Sequence, residues 1–368
     1  MHIVHALLLY FYAMQPAILS DQPFIMCGHD LPASLGHFLK SYKGHRLLVL
    51  ADSNTNQLIP QYQAVFEQFD ENFLRYVIPA GEEHKNLHSA MQVWDTLIKN
   101  GCGRNTILLG LGGGMICDLT GFAASVFMRG IPFVFLPGSV LAMADASAGG
   151  KTGINLEGLK NIIGTFTEAA AVFIDFNFLS TLPSEERKSG IAEILKHAAL
   201  LGKPLRQLTK TCMTDSLEDH IIETVNHKLS IVNQDFREQN VREALNLGHT
   251  VAHALETLYL NQGKSLLHGY AVAAGLCIES FLAESYFNEG FDLQYHEGLR
   301  EEVFSEYPRV HFNEIDFELL LPFMRNDKKN RKSTPSFSLL KGPANWQLQC
   351  RPNEKLIRNA LLNYLRHA

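Results

Sequence analysis

The sequence predicts an α/β domain followed by a mainly helical one. Three observations carry that expectation. Strand-like runs alternate with helical segments up to residue 179, a run of glycines sits where one strand meets a helix, and helical periodicity dominates from residue 180 onward. The chain has 368 residues, length for two domains at roughly 150 residues each. We place them at 1–179 and 180–368, with residues 1–20 as an extension of uncertain role.

In the first half, HRLLVLAD (45–52) and FLRYVIPAG (73–81) read as strands. HKNLHSAMQVWDTLIKNG (84–101) is an amphipathic helix that stops at a glycine. NTILLGLGGG (105–114) is a strand running into a glycine turn, followed by a helix at 115–128, a strand at 131–138 and a last strand, AAVFIDF, at 170–176. Such alternation predicts a parallel sheet covered on both faces. In the second half, segments 182–202, 220–236, 242–256 and 269–287 read as helices, and PSFSLLKGPANWQLQC (335–350) as a short hairpin. A cleft between the two domains is the expected place for a ligand.

The composition narrows the function. Hydrophobic residues make up 46% of the chain and charged residues 19%, enough apolar material for two cores. A net charge of -6 gives no footprint for nucleic acid. The six cysteines contain no C-x-x-C pair, which argues against a disulfide framework or a cysteine zinc site and for a reducing, cytoplasmic setting. The apolar start, MHIVHALLLYFYAMQPAIL, has no Lys or Arg before its apolar run and is interrupted by Gln15 and Pro16, so we read it as an extension. No other segment could span a membrane.

Gly112, Gly113 and Gly114 lie where a strand meets a helix, so backbone N–H groups and the helix N-terminus can approach a pyrophosphate. The spacing is not G-x-G-x-x-G, since Cys117 occupies the third glycine's place. Asp52 ends another strand and offers an acid for a ribose hydroxyl, and GEEHK (81–85) ends a third. Three polar strand ends on one edge predict a Rossmann-like dinucleotide site. DASAGGKTGIN (145–155) fails as a phosphate loop, because Asp145 stands where a glycine is needed. Lys151 and Lys160 remain candidate phosphate or carboxylate ligands beside glycines.

In REALNLGHTVAHALE (242–256), Arg242, Asn246, His249 and His253 fall 4, 3 and 4 apart. On one helix they share a face. H-E-x-x-H is absent, so a metal would take one histidine here and further donors from other helices. His268 and Glu193, with Lys196 one turn on, are among several choices in a chain with 16 histidines. Two imidazoles and one carboxylate would leave a coordination position open on zinc.

The segments GGGMICDLTGF, FMRGIPFVFLPGSVLAMADASAGGKTGIN, LKNIIGTF, SGIAEILKHA, REALNLGHTVAHALE and LLHGYAV occur in this order. Together they strongly resemble the 3-dehydroquinate synthase family of sugar phosphate cyclases, from about residue 45 to 340. The resemblance implies conversion of 3-deoxy-D-arabino-heptulosonate 7-phosphate to 3-dehydroquinate and phosphate, a step toward aromatic amino acids. It implies NAD and a divalent metal, zinc with cobalt as the alternative, and a homodimer. The implied reaction is a transient oxidation, phosphate elimination, re-reduction and intramolecular aldol closure.

Carried over residue by residue, the resemblance makes Glu193, His249 and His268 the metal ligands. It puts NAD on Asp52, Glu82, Lys85, the turn Gly113, Gly114 and Met115, and Gly138 with Ser139. Asp118, Asp145, Lys151, Lys160, Phe178, Thr181, Leu182 and Glu186 lie near the cofactor in that reading. Substrate phosphate and carboxylate would meet Lys151, Asn161, Lys196, Lys228, Arg242, Asn246 and His253, with Lys328 or Lys329 from the basic run 326–331 and Arg129 from a partner subunit. Several cations suit a substrate carrying both a phosphate and a carboxylate.

Two departures from the family pattern stand out. Gly138-Ser139 replaces Thr-Thr, which removes a hydroxyl near the nicotinamide or its phosphates. Tyr270 replaces a glutamate after His268-Gly269, which predicts the loss of a carboxylate that orients a ligand. Rival readings are a cyclase acting on sedoheptulose 7-phosphate, a metal-dependent polyol dehydrogenase, and an inactive binding subunit.

Overall fold

The structure is a computed structural model that describes residues 16–157, 159–325 and 334–367. It divides into two compact units, Met1–Pro183 and Ser184–Ala368.

The first unit runs β1 (Ala17–Asp21), β2 (Phe24–Gly28), α1 (Pro32–Leu39), β3 (Arg46–Asp52), α2 (Gln63–Phe69), β4 (Leu74–Ile78), α3 (Leu87–Lys99), β5 (Thr106–Gly112), α4 (Gly114–Val126), β6 (Phe133–Pro137), β7 (Lys151–Leu156), β8 (Leu159–Phe166) and β9 (Ala171–Asp175). Seven strands form one sheet in the order β1-β2-β9-β6-β5-β3-β4. Its strands pair in parallel, except that β1 runs antiparallel to β2 at the edge. The inner strands β2, β5, β6 and β9 are buried at every position, as a sheet covered on both faces requires.

Residues 17–21 therefore belong to the sheet, and the extension read at 1–20 is shorter than expected. Its first 15 residues lie outside the described residues, as does Lys328. The stretch 145–155, rejected above as a phosphate loop, is regular structure for much of its length. Ala142–Ala146 forms a short π-helical turn, and Lys151 opens the antiparallel hairpin β7–β8. The hairpin lies against α4 because Gly121 has no side chain: a Cβ there would stand 2.4 Å from Thr152 Cγ2.

The second unit contains α5 (Ser184–Leu201), α6 (Leu208–Thr214), α7 (Leu217–Val232), α8 (His249–Asn261), α9 (His268–Tyr286), α10 (Leu293–Glu306), α11 (Phe317–Arg325), the hairpin β10 (Phe337–Gly342) with β11 (Asn345–Cys350), and α12 (Glu354–Arg366). Helix α9 is the hub. Its residues are buried on all sides from Ala271 to Ala283, the pattern of an interior helix, and it packs on α5, α8, α10 and α12. Small residues set the closest approaches. A Cβ on Gly269 would lie 1.7 Å from the Ser189 carbonyl oxygen on α5, and one on Gly275 would lie 2.0 Å from the Gly248 carbonyl oxygen. Among the described residues, no helix is long and apolar enough to cross a membrane.

Candidate metal centre and cofactor turn

The close packing of α9 brings three donors of the second unit together. Glu193 comes from the middle of α5, His249 from the first residue of α8 and His268 from the first residue of α9. The His249 Nε2 and His268 Nε2 atoms stand 3.2 and 3.3 Å from the same oxygen, Glu193 Oε1. The donor atoms of this trio lie within 4.8 Å of one another, a group able to hold a metal ion.

The atoms facing away from that point are also engaged. Glu193 Oε2 pairs with Lys196 Nζ at 2.5 Å, one turn along the helix. His249 Nδ1 lies 3.1 Å from the Leu247 carbonyl, which accepts its proton. His268 Nδ1 lies 3.2 Å from Glu256 Oε1. Both imidazoles thereby turn Nε2 toward Glu193, the nitrogen a metal there would take once its proton is lost.

The electrostatics suit a divalent cation. Burial pushes His249 down to about 4, aided by the Lys196 ammonium against the pull of Glu193, so its ring is neutral near pH 7. Burial opposes charge on His268 as well, but Glu256 and Glu193 outweigh it and raise that ring to about 10. Burial likewise disfavours charge on Glu193, yet Lys196 and His249 hold its carboxyl well below the usual range. Two carboxylates thus draw positive charge to the point where the Nε2 atoms meet. The donor set fits a metal with an open position, such as zinc.

The stretch 242–256 is not one helix, contrary to the reading that placed its polar residues on a single face. A 3-10 turn spans Val241–Asn246, and α8 begins only at His249. Gly248 between them has φ +79°, a left-handed conformation that suits glycine. Its N–H donates to Glu279 Oε2 on α9 at 2.7 Å, and the Val251 N–H reaches Glu279 Oε1 at 3.4 Å. A buried carboxylate of a neighbouring helix thus caps α8 at the residue that presents His249.

The other candidates in this unit divide by environment. His253, one turn along α8, has its ring 5.5 Å from that of His249 and 6.4 Å from that of His268. Lys196, Lys228, Arg242 and Asn246 are all buried. Asp235 holds the Arg242 turn by accepting from the N–H groups of Gln239, Asn240 and Arg242 at 2.9, 2.7 and 3.1 Å. Asn246 donates to Glu238 at 2.8 Å. Sequence reasoning passed over Glu256, Glu279 and Asp235. Glu256 carried a signal, standing seven residues, or two helical turns, beyond His249. Glu279 and Asp235 carried none, because their roles arise from tertiary packing and from a turn.

In the first unit, β4, β3 and β5 are parallel neighbours, so the stretches after Ile78, Asp52 and Gly112 leave one edge of the sheet. Strand order reverses beside β3, which pairs with β4 on one side and β5 on the other. Such a switch point is where open α/β sheets bind ligands. Gly113 is the N-cap of α4 and has no side chain to offer the first-turn N–H groups of Gly114 and Met115, an arrangement that fits a pyrophosphate. None of the three glycines needs a positive φ. Gly112 instead makes room for Ile116, whose Cβ would be 2.7 Å from an added methyl, and Gly138 for the Gly112 backbone at 3.4 Å.

A charged cluster adjoins this edge. Lys85 is buried and pairs with Asp118 and, at 3.7 Å, with Glu82, which also faces Lys160 at 3.7 Å. Asp52 is committed locally, its Oδ1 accepting from the N–H groups of Asn54 and Thr55 and from the Thr55 hydroxyl. Ser139 Oγ accepts from the Ala142 N–H at 3.2 Å. Asp145 lies in the π-helical turn and Asn161 on β8, where its N–H donates to Asn155. Thr181 closes a turn onto the carbonyl of buried Phe178, just before Leu182. Lys151 and Arg129 are exposed, the latter at φ +68°. Glu186 lies in the first turn of α5.

Comparison with known proteins gives these features a lineage. Residues 75–189 match the family described as 3-dehydroquinate synthase N-terminal, and residues 190–330 match 3-dehydroquinate synthase C-terminal. The 3-dehydroquinate synthase of Parabacteroides distasonis is 36% identical over 328 residues, covering 88% of this chain and 92% of its own. That of Legionella pneumophila subsp. pneumophila is 39% identical over 358 residues, covering 93% of each. The fold is shared with 2-epi-5-epi-valiolone synthase from Streptomyces hygroscopicus subsp. jinggangensis, with NAD+ and Zn2+ bound (TM-score 0.79, 24% identity, 94% of this chain and 97% of the other). It is also shared with a 2-deoxy-scyllo-inosose synthase complexed with carbaglucose-6-phosphate, NAD+ and Co2+ (TM-score 0.79, 20% identity, 92% and 96%). The chain belongs to the 3-dehydroquinate synthase family.

Proposed function

We propose that the chain converts 3-deoxy-D-arabino-heptulosonate 7-phosphate to 3-dehydroquinate and inorganic phosphate, using NAD+ catalytically and a divalent metal. The observation that carries this reading is the convergence of Glu193 Oε1, His249 Nε2 and His268 Nε2 beside Lys196, in a chain of this family. In this reading the first unit holds NAD+ and the second holds metal and substrate.

When bound, the metal supplies a Lewis acid and NAD+ a reversible hydride acceptor. The remaining work falls to side chains. Lys196, Lys228 and Arg242 are buried cations, worth more to a phosphate and a carboxylate in a dry site than in water. Asn246 donates through its amide, and His253, beside both histidine ligands, is placed to hold or pass a proton. Gly113 and Gly114 expose N–H groups for the pyrophosphate, while Lys85, Asp118, Glu82 and Lys160 form a network able to take ribose and amide hydrogen bonds. Lys151, Asn161 and Lys328 complete the proposed contacts to phosphate, with Arg129 contributed by the second subunit of a homodimer. All six cysteines are buried thiols, which suits a reducing cytoplasm.

Purified protein supplied with NAD+ and zinc is expected to release phosphate from the heptulosonate phosphate with no net NADH. Accumulation of NADH would instead mark a dehydrogenase. Phosphate release from sedoheptulose 7-phosphate alone would mark a different cyclase, and no turnover of either would sink the proposal.

A further inference from the structure

Each of the three donors has a partner on its outer atom, but the partners differ in kind. Glu193 is held by Lys196 on its own helix and His249 by a carbonyl two residues back. His268 is the most exposed of the three, with 25% of its side chain accessible against 11% for His249 and none for Glu193. It opens α9 directly after an extended residue, Leu267. Its tether is a side chain from another helix, Glu256 on α8, itself 5% exposed.

We propose that Glu256 is a positioning residue of the metal site, the carboxylate that fixes the His268 ring and presents its Nε2 toward Glu193. The inference rests on reading Glu193, His249 and His268 as the metal ligands. Helix α8 then supplies both a ligand, His249, and the tether of the ligand on α9, so the mutual register of these helices sets the geometry of the trio. A carboxylate on the outer nitrogen fixes the tautomer and makes Nε2 a stronger donor. Tyr270, where the family pattern places a glutamate, does not take this part. Its ring packs edge-on against Tyr307 at 6.2 Å between centroids. The carboxylate on His268 Nδ1 comes from Glu256 on the neighbouring helix.

The test compares Glu256→Ala, Glu256→Gln, Tyr270→Phe and His268→Ala with the wild type. Zinc affinity is read by chelator competition and site geometry by the visible absorption of bound Co2+. Glu256→Ala is expected to weaken zinc binding about 10- to 100-fold. Glu256→Gln, which keeps an oxygen acceptor without charge, should lose less and still shift the Co2+ spectrum, and Tyr270→Phe should change neither. Wild-type affinity and spectrum in Glu256→Ala would overturn the proposal. If Glu256→Ala does not fold, the same outcome in Glu256→Gln would overturn it. His268→Ala separates the two levels. If it keeps wild-type zinc binding, the ligand assignment itself is wrong. If it loses zinc while both Glu256 variants retain it, only the role of Glu256 falls.

Discussion

Lys85 shows how a single residue can be half legible. Its place at the end of a strand, in GEEHK, marked it as a candidate, but its main partner, Asp118, is 33 residues away on α4 and shares no pattern with it. The side chain is buried, and burial disfavours its ammonium. Asp118 and Glu82 outweigh that and raise its pKa above the ordinary 10.5. A folded value above the unfolded one means that protonated Lys85 favours the fold. Its contribution is complete below about pH 10.5 and disappears as pH rises through the folded value. Replacing it takes the ammonium from Asp118 and from Glu82, which keeps Lys160, at a cost reduced because both carboxylates are partly exposed. Lys85→Met is expected to lose about 1–3 kcal/mol of stability at pH 8. The difference from wild type should narrow above pH 10.5, read by urea unfolding at both pH values. An equal difference at both would refute the ion-pair account.

At the scale of elements, period was the legible signal. The runs that became β3, β5 and β6 are continuous apolar segments, and α5, α7 and α9 show helical spacing, so their positions were readable within a few residues. The elements that were not read include strand β2, which is no shorter than the legible β6, helices α10 and α12, and the hairpin β7–β8, built from Gly, Lys, Asn and Thr as much as from apolar residues. The break at Gly248 was hidden for another reason. Its polar neighbours keep helical spacing on both sides, and only the approach of α9 reveals why the chain turns left-handed there. That approach is narrow. Adding one methyl at Gly275 would place it 2.0 Å from the Gly248 carbonyl oxygen, a backbone atom that cannot rotate away. Gly275→Ala is therefore expected to cost on the order of 3 kcal/mol and, by moving α9 from α8, to weaken zinc binding as well. Denaturant unfolding and chelator competition on the same variant check both. A variant with wild-type stability would mean that the helices have more freedom than this packing implies.

At the scale of the molecule, the chain consists of two units of comparable length, each within the usual size of an independent domain. The proposed ligands divide between them, with the metal donors all on the second unit and the glycine turn with its charged cluster on the first. Ligands that bind only the folded state stabilise it by mass action, about 2.7 kcal/mol at one hundred times the dissociation constant. For units of this size that corresponds to a rise in Tm of roughly 5–10 °C. Removing metal with a chelator should lower the melting temperature by that order, and restoring zinc should recover it in proportion to the logarithm of its concentration. NAD+ should raise the melting temperature through the first unit by a separate, additive increment. His268→Ala provides the decisive comparison, since it should abolish the zinc response and leave the NAD+ response in place. If that substitution removed both responses, the division of cofactor and metal between the two units would be wrong. If it removed neither, the metal would be bound by residues other than Glu193, His249 and His268.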